Sequence, residues 1–153
     1  MAIYKEISWK CQQIIGSKSR VSEILNRKIN YNDLNLKAKE IYNFQKVSAK
    51  LADYGFTTMW LNNDWKGADF IAIHIDGNTT LKVQLKARLY FDEKYANKDI
   101  YICFREDNET YLYLHDELLN QIPIYKKAVD NKGFRHLNQI PIKYKKLLEI
   151  YKL

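Results

Sequence analysis

Asp69, Gln84 and Lys86 place an acid, an amide and an amine on two apolar runs that are separated by a turn. A hairpin closed by a two-residue turn at Gly77 and Asn78 would set Asp76 opposite Thr79, Ile71 opposite Gln84 and Asp69 opposite Lys86. Side chains alternate along a strand with period two, so the three polar groups would leave one face of the sheet together. Their neighbours Phe70, Ala72, Val83 and Leu85 belong in a core, where polar groups need partners or a task. The Asp69 carboxylate, the Gln84 side-chain oxygen and the Leu85 backbone carbonyl are hard donors suited to magnesium or manganese (Mg2+ or Mn2+). Lys86 could orient an attacking water and offset the negative charge that develops on a phosphoryl group.

The flanking sequence supplies elements that would hold such a site. Apolar residues at Leu36, Ile41, Phe44, Val47, Leu51 and Tyr54 predict a helix that begins after Asn32 or Asp33 and stops at Gly55. The run Phe56 to Leu61 reads as a strand, and Asn62 to Gly67 as a polar loop. Ala68 to Ile75 and Thr79 to Ala87 are the two arms of the hairpin. Beyond it, Phe91 to Lys98 reads as a short helix, Ile100 to Phe104 and Tyr111 to Leu114 as strands, and His115 to Gln121 and Ile142 to Lys152 as helices. Two short helices are expected within residues 1 to 30. The order predicts an α/β (α+β) fold, a mixed sheet flanked by helices.

A length of 153 residues suits a single domain. Within it we expect an N-terminal helical extension over 1–33, a core over 34–114 and a helical part over 115–153. Twenty-five Lys and Arg against 18 Asp and Glu leave a formal charge of +7, which favours a polyanionic partner. Cys11 and Cys103 are far apart, with no further Cys or His at zinc spacing, so buried thiols are expected rather than a metal cluster or a disulfide framework. No run is long and apolar enough to span a membrane, and the first residues lack the apolar core of a secretory signal, which suits a cytoplasmic protein.

A strand carrying Asp, a turn, and a strand carrying a (D/E)xK or QxK triplet, after a helix and a first strand, resembles the core of the PD-(D/E)XK nuclease superfamily. That superfamily includes restriction enzymes, Holliday-junction resolvases and repair nucleases. Residues from about Leu34 to Arg88 carry the resemblance: LADYGFTT is similar to the passage from the first helix into the first strand, KGADFIAI to the first acidic motif, and LKVQLKAR to the second. Ala68 stands where many members have proline, and Gln84 where many have an acid, although Mrr-like restriction proteins share the QxK form. The resemblance implies a restriction-endonuclease-like αβββαβ core and hydrolysis of phosphodiester bonds in DNA. Asp69 and Gln84 would then bind metal, Lys86 would be the catalytic lysine, and Glu40 on the first helix would add an acid, with Gln45 as the other residue near the family spacing. It also implies a place in restriction or another defence system, and a homodimer where two strands are cut.

Around this set, Arg88 could contact a phosphate beside the cut, and Trp65 and Lys66 could meet a splayed nucleotide. Trp60 and most of the twelve tyrosines are expected to pack the core. His74, His115 and His136 share no metal spacing, and His74 should point away from the polar face. Lys143, Lys145, Lys146 and Lys152 read as a solvated helix face. Two other functions fit the same residues: a DNA-binding protein of nuclease fold that has lost turnover, and a regulatory domain whose basic charge meets an acidic protein.

Overall fold

In the computed structural model, residues 20–153 are described, and the chain falls into two units, Met1–Asn35 and Leu36–Leu153. The first unit contains helix α1 (Arg20–Leu25) and a 3₁₀ turn at Tyr31–Asp33, started by the Asn30 side chain, which accepts from the Asn32 amide at 3.0 Å. Cys11 and the earlier part of the expected N-terminal helices lie outside the described residues.

The second unit begins with α2 (Leu36–Asp53), whose Phe44, Val47 and Leu51 recur at helical spacing and form its packed stripe. Gly55, at φ 80°, turns the chain out of the helix, and an added Cβ there would meet the His74 ring at 3.1 Å. Five strands follow in one mixed sheet: β1 (Phe56–Trp65), β2 (Ala68–His74), β3 (Thr80–Lys86), β5 (Ile100–Glu106) and β6 (Glu109–Leu114), side by side in that order. All neighbours are antiparallel except β3 and β5, which run parallel. This is the mixed sheet with flanking helices that the order of elements predicts.

Two local expectations are corrected. The segment read as a polar loop is the far end of β1. Its pairing with β2 is interrupted between Trp60 and Trp65 and resumes at Trp65 opposite Ala68, leaving Lys66 (φ 57°) and Gly67 (φ 94°) as a two-residue hairpin turn. The crossover from β3 to β5 carries no α-helix: it holds the short strand β4 (Tyr90–Asp92) and a 3₁₀ turn at Glu93–Tyr95 capped by Asp92. Helices α3 (His115–Gln121), α4 (Pro123–Lys132) and α5 (Ile142–Leu148) follow the sheet, with β7 (Phe134–His136) pairing β4 antiparallel as a separate ribbon. Pro123 occupies the first turn of α4, and Gly133 at φ 78° ends it.

Each face of the sheet buries its own core. Phe70, Ala72, Leu81, Val83 and Cys103 meet Val47 and Leu51 of α2 on one side. Ala68, Ile100, Ile102, Phe104 and Tyr113 meet Phe91 and Tyr95 of the crossover and Leu118, Tyr125 and Leu148 of the later helices on the other. Full burial of one such aliphatic or aromatic side chain contributes about 1.5–3 kcal/mol, so both layers hold the central strands in place. Cys103 is a free, buried thiol, as expected. Burial pushes it well above the ordinary thiol value.

Candidate functional site

The β2–β3 hairpin differs from its expected form by two residues. Its loop spans Ile75 to Asn78: Asp76 accepts from the Asn78 amide at 2.8 Å, the Thr79 amide at 2.9 Å and the Thr79 hydroxyl at 2.7 Å, and Gly77 adopts φ 74°. Ile71 therefore pairs with Lys82 and Phe70 with Val83, the last pair of the ladder, and beyond it the Asp69 carboxylate meets the Gln84 side chain. A two-residue slip leaves the parity of every side chain unchanged. Gln84 and Lys86 align with Ile102 and Phe104 of β5, whose side chains belong to the helix-α3-to-α5 side of the sheet, while Val83 and Leu85 face α2. Asp69 shares the face of Gln84, as the bond between them requires.

The Gln84 amide nitrogen donates to Asp69 Oδ2, and the Leu85 amide donates to the same oxygen at 2.8 Å. The Leu85 carbonyl lies 3.4 Å from the Gln84 amide nitrogen. Asp69, Gln84 and the Leu85 main chain thus meet at one point on the sheet, with Gln84 at 9% exposure. A half-turn of the Gln84 amide about its last bond would exchange nitrogen for oxygen, giving one carboxylate, one amide oxygen and one carbonyl around that point. Neighbouring ligands of an octahedral magnesium ion at about 2.1 Å stand about 3 Å apart, a spacing this cluster can meet with small adjustments. Among the described residues no group of three or more His, Cys, Asp or Glu side chains is arranged to hold a metal ion. A cation here would rest on this mixed oxygen set, and the set fits an ion that takes one or two protein carboxylates and completes its shell with water and phosphate.

Lys86 lies two residues beyond Gln84 on the same face. Its Nζ stands 4.9 Å from the Tyr90 ring centroid and 5.5 Å from that of Tyr95. Two aromatic faces border the ammonium, an arrangement that attracts a cation. Tyr90 is fixed in turn, its hydroxyl bonded to Asp92 at 2.8 Å, and its pKa is pushed up to about 12 by burial and by that carboxylate. Tyr113 bonds the Tyr90 main chain at both ends, donating to its carbonyl at 2.5 Å and accepting from its amide at 3.2 Å.

Beside Gln84 opens a pocket of about 420 Å3 lined by Lys66, Gly67, Lys94, Tyr95 and Lys98. Gly67 is confined there twice, by its positive φ and by the Tyr95 ring, which an added Cβ would meet at 3.1 Å. Among the described residues, Lys94 lies 3.7 Å from Asp92, while Lys66 and Lys98 make no ion pair. The wall of this pocket is cationic.

The other expected residues fall elsewhere. Glu40 lies on α2, which packs the opposite face of the sheet, and its carboxylate accepts from Lys37 at 2.8 Å rather than joining Asp69 and Gln84. Gln45 is exposed on the same helix. Arg88 is exposed and bonds Asn138. Trp65 is 51% exposed at the β1–β2 turn beside Lys66, while Trp60 packs edge-on against Phe44 at 4.8 Å, as expected of a core residue. His74 contacts Phe56 on the α2 side, away from the polar face. His115 is fully buried: Nε2 accepts from the Asp92 amide at 3.1 Å, so Nδ1 carries the proton toward Asp116 at 2.7 Å. The sequence reading did not single out Tyr90, Tyr95, Lys94 and Lys98. The positive charge of the two lysines was visible, but Lys94 and Lys98 were read as one helix rather than as a wall around Gln84.

No helix among the described residues is long and apolar enough to cross a membrane. No family model matches this chain, and neither a curated protein nor a solved structure matches it.

Proposed function

We propose that this chain is a metal-dependent DNA endonuclease of the PD-(D/E)XK kind. The observation that supports this reading is the meeting of the Asp69 carboxylate, the Gln84 amide and the Leu85 main chain at one point on the sheet, with Lys86 on the same face two residues on. Asp69, Gln84 Oε1 and the Leu85 carbonyl would hold a magnesium or manganese ion, which supplies Lewis acidity toward a phosphoryl oxygen and lowers the pKa of a bound water. Lys86 donates a hydrogen bond to the attacking water, orients it for in-line displacement and offsets charge on the phosphoryl oxygens. The lysine-walled pocket beside Gln84 receives a neighbouring phosphate.

The test is incubation of wild type and Lys86→Ala with plasmid, linear and branched DNA in magnesium, manganese or EDTA. Nicking by wild type that stops in EDTA and falls at least about 100-fold in Lys86→Ala is expected. Equal activity of the two proteins would assign the cutting to a contaminant and remove the proposal.

One observation favours a second reading. Asp69 Oδ2 is already satisfied by two N–H donors, as in a nuclease fold that binds DNA without cutting it. That protein would retain DNA affinity, show no nicking in either metal and bind equally well in EDTA.

A further inference from the structure

The β4–β7 ribbon carries three similarly oriented rings on one side. Tyr90 pairs across the ribbon with His136, their planes 8° apart and centroids 6.4 Å apart, and Phe134 follows at 5.9 Å and 4° from His136. Packing accounts for the other side of the ribbon, where Phe91 is fully buried against Tyr113 and Tyr125. It does not account for Phe134 at 48% exposure or for the exposed His136. Cations lie at the same place: Lys86 Nζ stands 4.9 Å from the Tyr90 ring, and Lys86, Arg88, Tyr90 and His136 border a recess of about 260 Å3. Asp92, the carboxylate beside Tyr90 on this side, is bonded to the Tyr90 hydroxyl and lies 3.7 Å from Lys94.

Exposed flat rings at Phe134 and His136, with Lys86 and Arg88 at the Tyr90 end and Asp92, Glu93 and Lys94 beside Phe134, match a strand of nucleic acid whose bases are unpaired. Base faces stack on the rings while phosphates meet the cations, and this pairing tolerates any sequence. An uninterrupted duplex buries its base faces in its own stack and offers this surface only phosphates. We propose that the Tyr90–His136–Phe134 side of the ribbon is a stacking platform for unpaired bases next to the cut, and that the substrate is DNA with a flap, fork or single-stranded segment. The identity of the polyanion rests on the nuclease reading above, whereas the stacking surface is carried by the rings and the cations beside them.

The experiment measures binding, in EDTA, of a labelled single-stranded oligonucleotide and of a blunt duplex of the same length. Wild type binds the single strand more tightly. Phe134→Ala/His136→Ala weakens single-strand binding about tenfold, the scale of one base–aromatic contact, and leaves duplex binding unchanged. Phe134→Tyr/His136→Phe keeps the rings and retains the preference, which separates stacking from a folding defect. A wild type that prefers the duplex, an alanine pair that binds single strands as wild type does, or an equal loss on both DNAs would each overturn the platform. Because no turnover is measured, a protein that prefers single strands through these rings but never nicks upholds the platform and sinks the nuclease reading. One that nicks yet ignores Phe134 and His136 does the reverse.

Discussion

The Gln84 side chain donates to the Asp69 carboxylate across the β2–β3 pair, and the next amide along β3, that of Leu85, donates to the same oxygen. A residue type that could ligate a cation is here also the group that satisfies the acid without one. This pairing satisfies both groups: Asp69 and Gln84 sit in partly buried surroundings, where each needs a hydrogen-bond partner.

Replacing Gln84 with Glu tests that balance. Two carboxylates would face each other, raising the pKa of the new acid above its unfolded value, so the protein is expected to lose about 1–3 kcal/mol at neutral pH without metal. The sign follows from linkage: the penalty is absent below the ordinary carboxylate pKa, appears as pH rises through that value, and is relieved by magnesium. Urea unfolding at neutral and acidic pH, with and without magnesium, measures it. A Gln84→Glu protein as stable as wild type without metal would mean that the two groups do not meet.

The Tyr113 hydroxyl occupies both main-chain positions of Tyr90, acting as a substitute strand partner for β4. Tyr113→Phe leaves a buried amide and carbonyl unpaired and is expected to cost about 1–3 kcal/mol in urea unfolding. Hydrogen exchange should rise first at Tyr90 and Phe91, the residues that hold Lys86 and the ribbon in place.

Much of this was legible from residue types, and the losses have physical causes. The apolar runs around Asp69 and Gln84 revealed β2 and β3, and period-two alternation put Asp69, Gln84 and Lys86 on one face even though the turn was misjudged. Gly77 and Asn78 suggested a two-residue turn, but Asp76 closes a longer loop through three bonds to Asn78 and Thr79, and that chemistry sets the register. Strand β4 is three residues long, too short to show a period, and gains its identity only by pairing with β7, more than forty positions away. Phe134 and His136 have no local signal for the same reason. Glu40 followed a family pattern, and the sequence could not show that Lys37 one turn earlier would take its carboxylate.

Asp76 also predicts a pH dependence. The Thr79 amide, then the Thr79 hydroxyl and the Asn78 amide, hold its carboxyl well below the ordinary value of 3.8. A depressed pKa in the folded state means that the contribution is complete above that ordinary value and is lost as pH falls through the lower, folded one. Asp76→Ala should therefore melt below wild type at neutral pH, and the gap should narrow in strong acid. A gap that stays constant down to strong acid would show that the ionised carboxylate is not what closes the loop.

Lys66 and Lys98 give a prediction on salt. If the pocket beside Gln84 receives phosphates, Lys66→Ala/Lys98→Ala should weaken DNA binding at low salt and reduce the slope of log affinity against log salt by about one per lysine removed. Fluorescence anisotropy over a salt series measures the slope, and an unchanged slope would exclude these lysines from the DNA path.

The most direct test of a metal site at Asp69 is cleavage of a forked DNA and of supercoiled plasmid by wild type and Asp69→Asn across a manganese titration. Wild type is expected to nick with a saturable dependence on manganese, and Asp69→Asn, still folded by circular dichroism, to be slower by at least about 100-fold, with any remaining activity shifted to higher manganese. A wild-type protein that leaves both the forked DNA and the plasmid intact at every manganese concentration, or an Asp69→Asn protein that cuts as fast as wild type, would contradict a metal site at Asp69.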